Sequence, residues 1–114
     1  MWKDKDVNDW TVDDFKTWYK EEDLSEPTNE SIKLSEMAAK RKLPFEAVLI
    51  EYEEGKCYEY TRECFIVYKI GGEYFVFEYD KSYDGLCDEF YVVPYKVRPV
   101  EKVIETTKWV CVDE

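Results

Sequence analysis

A chain of 114 residues, 45% hydrophobic and 18% aromatic, is long enough for one core and too short for two comfortable ones. Its formal net charge is −11, from 27 acids against 16 bases, and it has ten tyrosines and no histidine. The charge excludes the cationic surface that nonspecific nucleic-acid binding needs to displace counterions, and the missing histidine removes the usual general base, the usual metal ligand and every Ser-His or Cys-His arrangement.

The charge is uneven. Acids crowd residues 1–30 and 51–89, where the second stretch has only Lys56, Arg62, Lys69 and Lys81 as bases. The single basic island is Lys33, Lys40, Arg41 and Lys42. Met1–Trp18 is acidic and without an apolar run, so no signal peptide is expected. No stretch reaches the length of a membrane span, so no membrane contact is expected either. A cytoplasmic protein follows, with Cys57, Cys64, Cys87 and Cys111 as reduced thiols. None forms a close C-x-x-C pair, which argues against structural zinc. Cys64 and Cys111 sit in apolar runs and read as small buried residues.

In chain order, residues 1–10 are polar, with Trp2 and Trp10 as anchors. Thr11 followed by Asp14 is a capping pattern, and Val12, Phe15, Trp18 and Tyr19 then share one helical face. This predicts a helix from about Val12 to Glu22 that packs on a sheet. Residues 23–30, with Pro27, read as a loop. Ser35 caps a predicted short helix running to Arg41. Pro44 can open another, with Phe45, Val48, Leu49 and Tyr52 at helical spacing and Gly55 closing it. Ala47–Tyr52, branched enough for a strand, is the alternative. Glu36-Met37-Ala38, Leu43-Pro44 and Ala47-Val48 resemble the paired helices of small phage and bacterial helix-turn-helix proteins. Lys42 replaces that family's turn glycine, and the second helix would carry glutamates and no Lys or Arg.

Residues 57–64 lead into FIVYKIGGEYFVFEY, in which Gly71-Gly72 separates two β-branched and aromatic runs and predicts a two-residue hairpin. Its register sets Ile70 against Glu73, Tyr68 against Phe75, Ile66 against Phe77 and Cys64 against Tyr79 on a buried face. Lys69-Tyr74, Val67-Val76 and Phe65-Glu78 then form a mixed, half-exposed face. A loop with Asp84-Gly85 as its turn follows. Residues 90–100 predict a strand made edge-like or interrupted by Pro94 and Pro99, and Lys108–Val112 a last strand. The whole reads as one α+β domain over 1–114, helical over about 11–54 and β over about 56–113, with helices packed on an antiparallel sheet of about four strands.

Function divides three ways. Catalysis is not expected, because the thiols lack a base, no Gly-rich phosphate loop exists, and close carboxylates arise by chance in so acidic a chain. No cofactor is expected. Asp80, Asp84, Asp88 and Glu89 lack the spacing of a calcium loop, so no metal is expected. The run GGEYFVFEYDKSYDG, with the charge and the tyrosines, is similar in style to the small acidic accessory proteins of phages and mobile elements, DNA-mimicking anti-CRISPR and anti-restriction inhibitors among them. That resemblance implies an inhibitor whose carboxylates and tyrosines enter the basic nucleic-acid groove of a host-defence nuclease, with no direct nucleic-acid contact. The expected partner-binding residues form two patches: Glu51, Tyr52, Glu53, Glu54, Tyr58 and Glu59, and then Tyr79, Asp80, Tyr83, Asp84, Asp88 and Glu89. The plain counter-reading of each patch is a solvated face that serves solubility. The alternatives are a small phage regulator of the helix-turn-helix kind, with Lys40, Arg41 and Lys42 on the phosphates, or a structural and assembly protein.

Overall fold

The computed structural model describes residues 2–83, 88–101 and 107–112, with the side chains of 100–101 and 107–110 outside the description. The chain is α+β, with its helices N-terminal and an antiparallel sheet after them. Helix α1 runs Val12–Glu21, and helix α2 runs Asn29–Ala39. Five strands follow among the described residues: β1 (Val48–Cys57), β2 (Thr61–Ile70), β3 (Glu73–Ser82), β4 (Tyr95–Glu101) and β5 (Thr107–Cys111). They hydrogen-bond in sequence order, so β1 and β5 are the two edges. No helix among the described residues is long and apolar enough to cross a membrane.

The N-terminus folds as the tryptophans require. Trp2 and Trp10 are buried at 5% and 2% exposure, held by two short 3-10 turns at Trp2–Asp4 and Val7–Asp9. Trp10 Nε1 donates to the Trp2 carbonyl at 3.2 Å, and Trp2 Nε1 donates to Glu21 at 3.0 Å. Helix α1 starts at the expected cap: the Thr11 hydroxyl accepts from the Asp14 N–H, and the Asp14 carboxylate accepts from the Thr11 N–H. Lys5 joins Asp14 at 2.9 Å. The Thr11 N–H and then Lys5 hold the Asp14 carboxyl below its ordinary pKa.

Helix α2 differs from expectation at its start. Its cap is Thr28, not Ser35, because Thr28 and Ser31 exchange side-chain and backbone bonds of 3.1 and 2.8 Å directly after Pro27. Ser35 lies mid-helix and buried, its hydroxyl without a partner among the described residues. The helix ends at the C-cap Lys40 with Arg41 at φ 60°, the left-handed conformation of a Schellman motif. The Lys42 N–H reaches the Met37 carbonyl at 2.8 Å and the Arg41 N–H the Ala38 carbonyl at 3.1 Å.

The second predicted helix does not form. Residues 48–57 are β1, so the helical part ends at Ala39 rather than near 54, and the paired-helix unit is absent. The strand alternative for Ala47–Tyr52 is the observed state, starting at Val48. Phe45 still reaches the core, its ring tilted against Phe15 with centroids 5.2 Å apart, from a bend beside Pro44. Gly55 closes no helix. It lies at the second irregularity of β1, where a Cβ would come within 2.6 Å of the Phe65 ring. The turn at Tyr58–Tyr60, with the Tyr58 N–H on the Thr61 carbonyl at 2.7 Å, separates β1 from β2.

The hairpin forms in the predicted register, from Ile70↔Glu73 through Cys64↔Tyr79. Gly71 and Gly72 have φ of 56° and 83°, as a type I′ turn demands. The helices cover the Ile70, Tyr68, Ile66 and Cys64 face, all at 4% exposure or less. Phe15 is fully buried against Trp18, Tyr19, Phe45, Phe75 and Phe77, with ring centroids 4.9–6.4 Å apart. A ring so placed contributes about 1.5–3 kcal/mol from burial. The Tyr68 hydroxyl donates to the Ala38 carbonyl at 2.8 Å, which satisfies the open end of α2. On the opposite face Val67 and Val76 are buried rather than half exposed, because Val97 of β4 joins them and Phe65, Tyr74 and Tyr95 ring them. The β3–β4 ladder stops at Val97, so Pro99 lies where β4 pairs with β5 alone and lacks no bond to β3. Cys111 is exposed, not buried; Cys64 is buried as expected.

Candidate functional site

The two acidic patches lie at the same end of the sheet, opposite the Gly71-Gly72 turn. The Tyr58–Tyr60 turn and the end of β3 are joined by a bond from the Tyr83 N–H to the Tyr60 carbonyl at 3.3 Å. Residues 88–91 return alongside β3, where Asp80 and Glu89 exchange two backbone bonds of 2.9 Å. The Asp88 carboxylate accepts from the Ser82 N–H at 2.9 Å. Asp84, with its Asp84-Gly85 turn, and Cys87 lie outside the described residues.

Three residues that sequence reasoning passed over complete this surface. The hairpin register sets Glu63 directly opposite Asp80, and Glu78 opposite Phe65 on the same face. Like charges directly across a strand pair repel. Glu78 responds: burial first, and then Glu63 and Asp80, push its carboxyl above the ordinary glutamate pKa, against the hydrogen bond from the Tyr95 hydroxyl at 3.1 Å. Tyrosines blunt the repulsion by donating to it. Tyr58 donates to Glu63 at 2.7 Å, and Tyr91 donates to Asp80. The hydrogen bond to Asp80 is the main reason the Tyr91 hydroxyl is pushed up to about 12, and Glu63 likewise raises Tyr58. Glu63, Glu78, Asp80 and Tyr91 line a cleft of about 100 Å³. Extending the hairpin register one position beyond Cys64-Tyr79 is the signal that sets Glu63 against Asp80, on the face where the register already holds Glu78.

Bases at this end are few and engaged. Arg62 donates to Glu54 at 2.6 Å and, through Nε and Nη2, to the Cys57 sulfur at 3.1 and 2.8 Å. That contact lowers the Glu54 pKa, so Glu54 is largely neutralised as a surface charge. Among the described residues, Glu54, Glu59, Glu63, Glu78, Asp80, Asp88 and Glu89 outnumber the bases at this end, Lys56, Arg62 and Lys81, with Lys40 and Arg41 lining a cleft beside Glu54 and Asp88.

The expected contact residues divide by environment. Tyr58, Glu59, Tyr83, Asp88 and Glu89 are exposed, with Tyr83 at 57%. Tyr60 joins them at 74%. Glu51 and Glu53 project from the helix-free face of β1, opposite Val67 and Phe65. Tyr52 leans into the core rim, its hydroxyl 3.3 Å from the Cys64 sulfur and its ring under Arg41 at 5.1 Å. Burial first, then Cys64, raises its pKa. Tyr79 is at 7% exposure and stacks on Phe90 at 5.3 Å, so its ring belongs to the core and is not offered to a partner. Asp80 is nearly buried at 9% and acts on the surface through its field. The surface as a whole is an acceptor array with tyrosine rings between the acids, suited to cationic side chains. No group of three or more side chains placed to hold a metal occurs among the described residues. No family model, curated protein or solved structure matches the chain.

Proposed function

We propose that this protein is an acidic binding protein of the host-cell cytoplasm that occupies the basic nucleic-acid groove of a host-defence nuclease, in the manner of an anti-CRISPR or anti-restriction inhibitor. One observation carries the reading. Carboxylates from three separate stretches of chain converge at one end of the sheet, closely enough that Glu63 and Asp80 raise the pKa of Glu78. Single close pairs arise by chance in so acidic a chain, but here three stretches of chain concentrate their acids on one surface. A surface addressed to arginines and lysines gains from that, because the partner's cations relieve the repulsion on binding. Exposed Tyr58, Tyr60 and Tyr83 add the aromatic contact area that charge alone lacks.

The test is titration against purified nuclease effectors across a salt series, with DNA as competitor. Affinity should fall steeply with salt, and DNA should displace the protein. The triple variant Glu59→Lys, Asp88→Lys, Glu89→Lys should bind about 100-fold more weakly. Affinity indifferent to salt and to that triple reversal would sink the proposal.

A further inference from the structure

The edge strand β1 is unusual in what it leaves open. Val48, Leu49 and Ile50 are exposed at 53%, 45% and 40%, three consecutive aliphatics on the border of the sheet. Among the described residues no strand pairs with the outer side of β1. Which backbone groups face outward follows from the register. A two-residue type I′ turn makes its flanking pair, Ile70 and Glu73, exchange both backbone bonds. Alternation then turns the backbones of Ile70, Tyr68, Ile66 and Cys64 to β3, and those of Lys69, Val67 and Phe65 to β1. Glu51 and Glu53, opposite Val67 and Phe65, therefore bond inward. Leu49, Tyr52 and Glu54, opposite Tyr68, Ile66 and Cys64, direct their N–H and C=O groups to the open side.

Natural sheets protect such an edge with lysine, proline, bulges or brevity. Here the edge is ten residues long, with register shifts at Leu49/Glu51 and Glu54/Cys57. It has no proline and one lysine, Lys56, near its end, and the run Glu51–Glu54 between the shifts stays in regular register. Its other charges are Glu51, Glu53 and Glu54. We propose that β1 is a docking edge for an extended basic segment of the partner, which adds a sixth, antiparallel strand. Pairing along the full length sets aliphatic residues of that segment against Val48–Ile50 and lysines or arginines at alternate positions against Glu51 and Glu53. In the antiparallel sense the basic residues come first in the partner segment and the aliphatic ones follow. A second copy of the chain is the weaker occupant. Full-length antiparallel self-pairing brings Glu51 against Glu53 or Glu54, and a pair centred on Leu49 leaves the acidic half of the edge open while two chains of charge −11 approach. This rests on the reading that the partner is basic. It adds where and how that partner is gripped: main-chain bonds for affinity, alternate side chains for selection.

The probe is a labelled ten-residue peptide in which lysine alternates with valine over six positions and valine and isoleucine fill the rest, read by fluorescence anisotropy. Two changes remove main-chain pairing and keep charge: N-methylation of alternate peptide residues, and Leu49→Pro, which deletes an N–H that faces the open side. Each should weaken peptide binding at least 10-fold, with the circular dichroism of the variant unchanged. If Leu49→Pro fails to fold, the methylated peptide on the unaltered protein decides alone. Equal affinity for methylated and unmethylated peptide overturns the edge, as does failure to bind the peptide at all. A dimer in sedimentation equilibrium that Leu49→Pro dissolves, and that excludes the peptide, overturns it in favour of a second copy. The acidic end is judged separately by the Glu59, Asp88 and Glu89 reversal, which leaves β1 untouched; loss of nuclease binding there with normal peptide binding, or the converse, separates the two failures.

Discussion

Two glutamates on β3 have opposite surroundings. Glu73, next to the Gly71-Gly72 turn, lies between Lys96 at 2.8 Å and Lys16 at 3.3 Å, and those lysines hold its carboxyl below the ordinary range. Glu78, five positions on, is half buried beside Glu63 and Asp80 and is held above it. The lysine-rich end is where α1 docks: Lys16 also donates to the Gly71 carbonyl at 2.8 Å, and the Tyr19 hydroxyl accepts from the Lys96 N–H at 3.1 Å. Three lysines, Lys16, Lys20 and Lys96, line the cleft at the docking end. At the far end acids outnumber bases. One end of the hairpin is built for cohesion and the other keeps an unspent field.

The comparison breaks first if the docking end is not what holds the fold. Phe15→Ala removes the ring that touches five others at the junction of α1 with β3, and should cost about 3–5 kcal/mol. Urea denaturation measures it, and a loss below about 1 kcal/mol would mean α1 is not anchored there. Gly71→Ala attacks the same junction from the turn. Its φ of 56° is costly for alanine, and the new Cβ would lie 2.9 Å from Val12 Cγ1 and 2.7 Å from Lys16 Cε. About 2 kcal/mol should be lost. Gly72→Ala meets nothing within 4 Å and should lose only the strain, about 1 kcal/mol.

The docking end was legible in the sequence and the acidic end only in part. The hairpin register followed from Gly71-Gly72 and period-2 alternation, and the buried face followed from the register. Thr11 and Asp14 announced α1 in the same local way. Residues 45–57 misled because Phe45, Val48, Leu49 and Tyr52 satisfy a helical period, while the strand state of Val48–Tyr52 is decided by Lys69–Ile66 of β2, 14–21 positions further along the chain. The site had the same limit. Local composition marks acids, but the union of residues 58–60 with 80–91 depends on Tyr60 meeting Tyr83 and Asp80 meeting Glu89. Tyr79 was assigned to the surface by its acidic neighbours, although its register partner Cys64 already placed it on the buried face.

The two glutamates sharpen the comparison through pH. Glu73→Gln removes a carboxylate that the fold stabilises, so the variant should melt below the parent at neutral pH. The loss is under about 1 kcal/mol, since the pairs are partly exposed. Glu78→Gln removes a carboxylate that the fold penalises while keeping an acceptor for Tyr95, so this variant should melt above the parent. The depressed group stabilises the parent above its unfolded pKa, and that stability is lost as pH falls through the lower folded value. The raised group costs stability at neutral pH, and the cost fades as pH falls through its folded value and the carboxyl takes up a proton in the native state. Melting curves of both variants should therefore converge on the parent in acid, one from below and one from above. Two curves on the same side of the parent would remove the contrast between the ends.

The smallest effects test whether α2 merely covers the sheet. Thr28→Ala deletes the hydroxyl that accepts from the Ser31 N–H, and should cost about 1 kcal/mol. Ser35→Ala deletes a buried hydroxyl with no partner among the described residues, which the fold has desolvated without return. Removing it should leave stability unchanged or raise it by a few tenths of a kcal/mol. Neither Thr28 nor Ser35 lines the clefts of the acidic end, so neither variant should alter binding of a basic partner once matched for folded fraction. A Ser35→Ala loss larger than that of Thr28→Ala would mean the hydroxyl has a partner in solution.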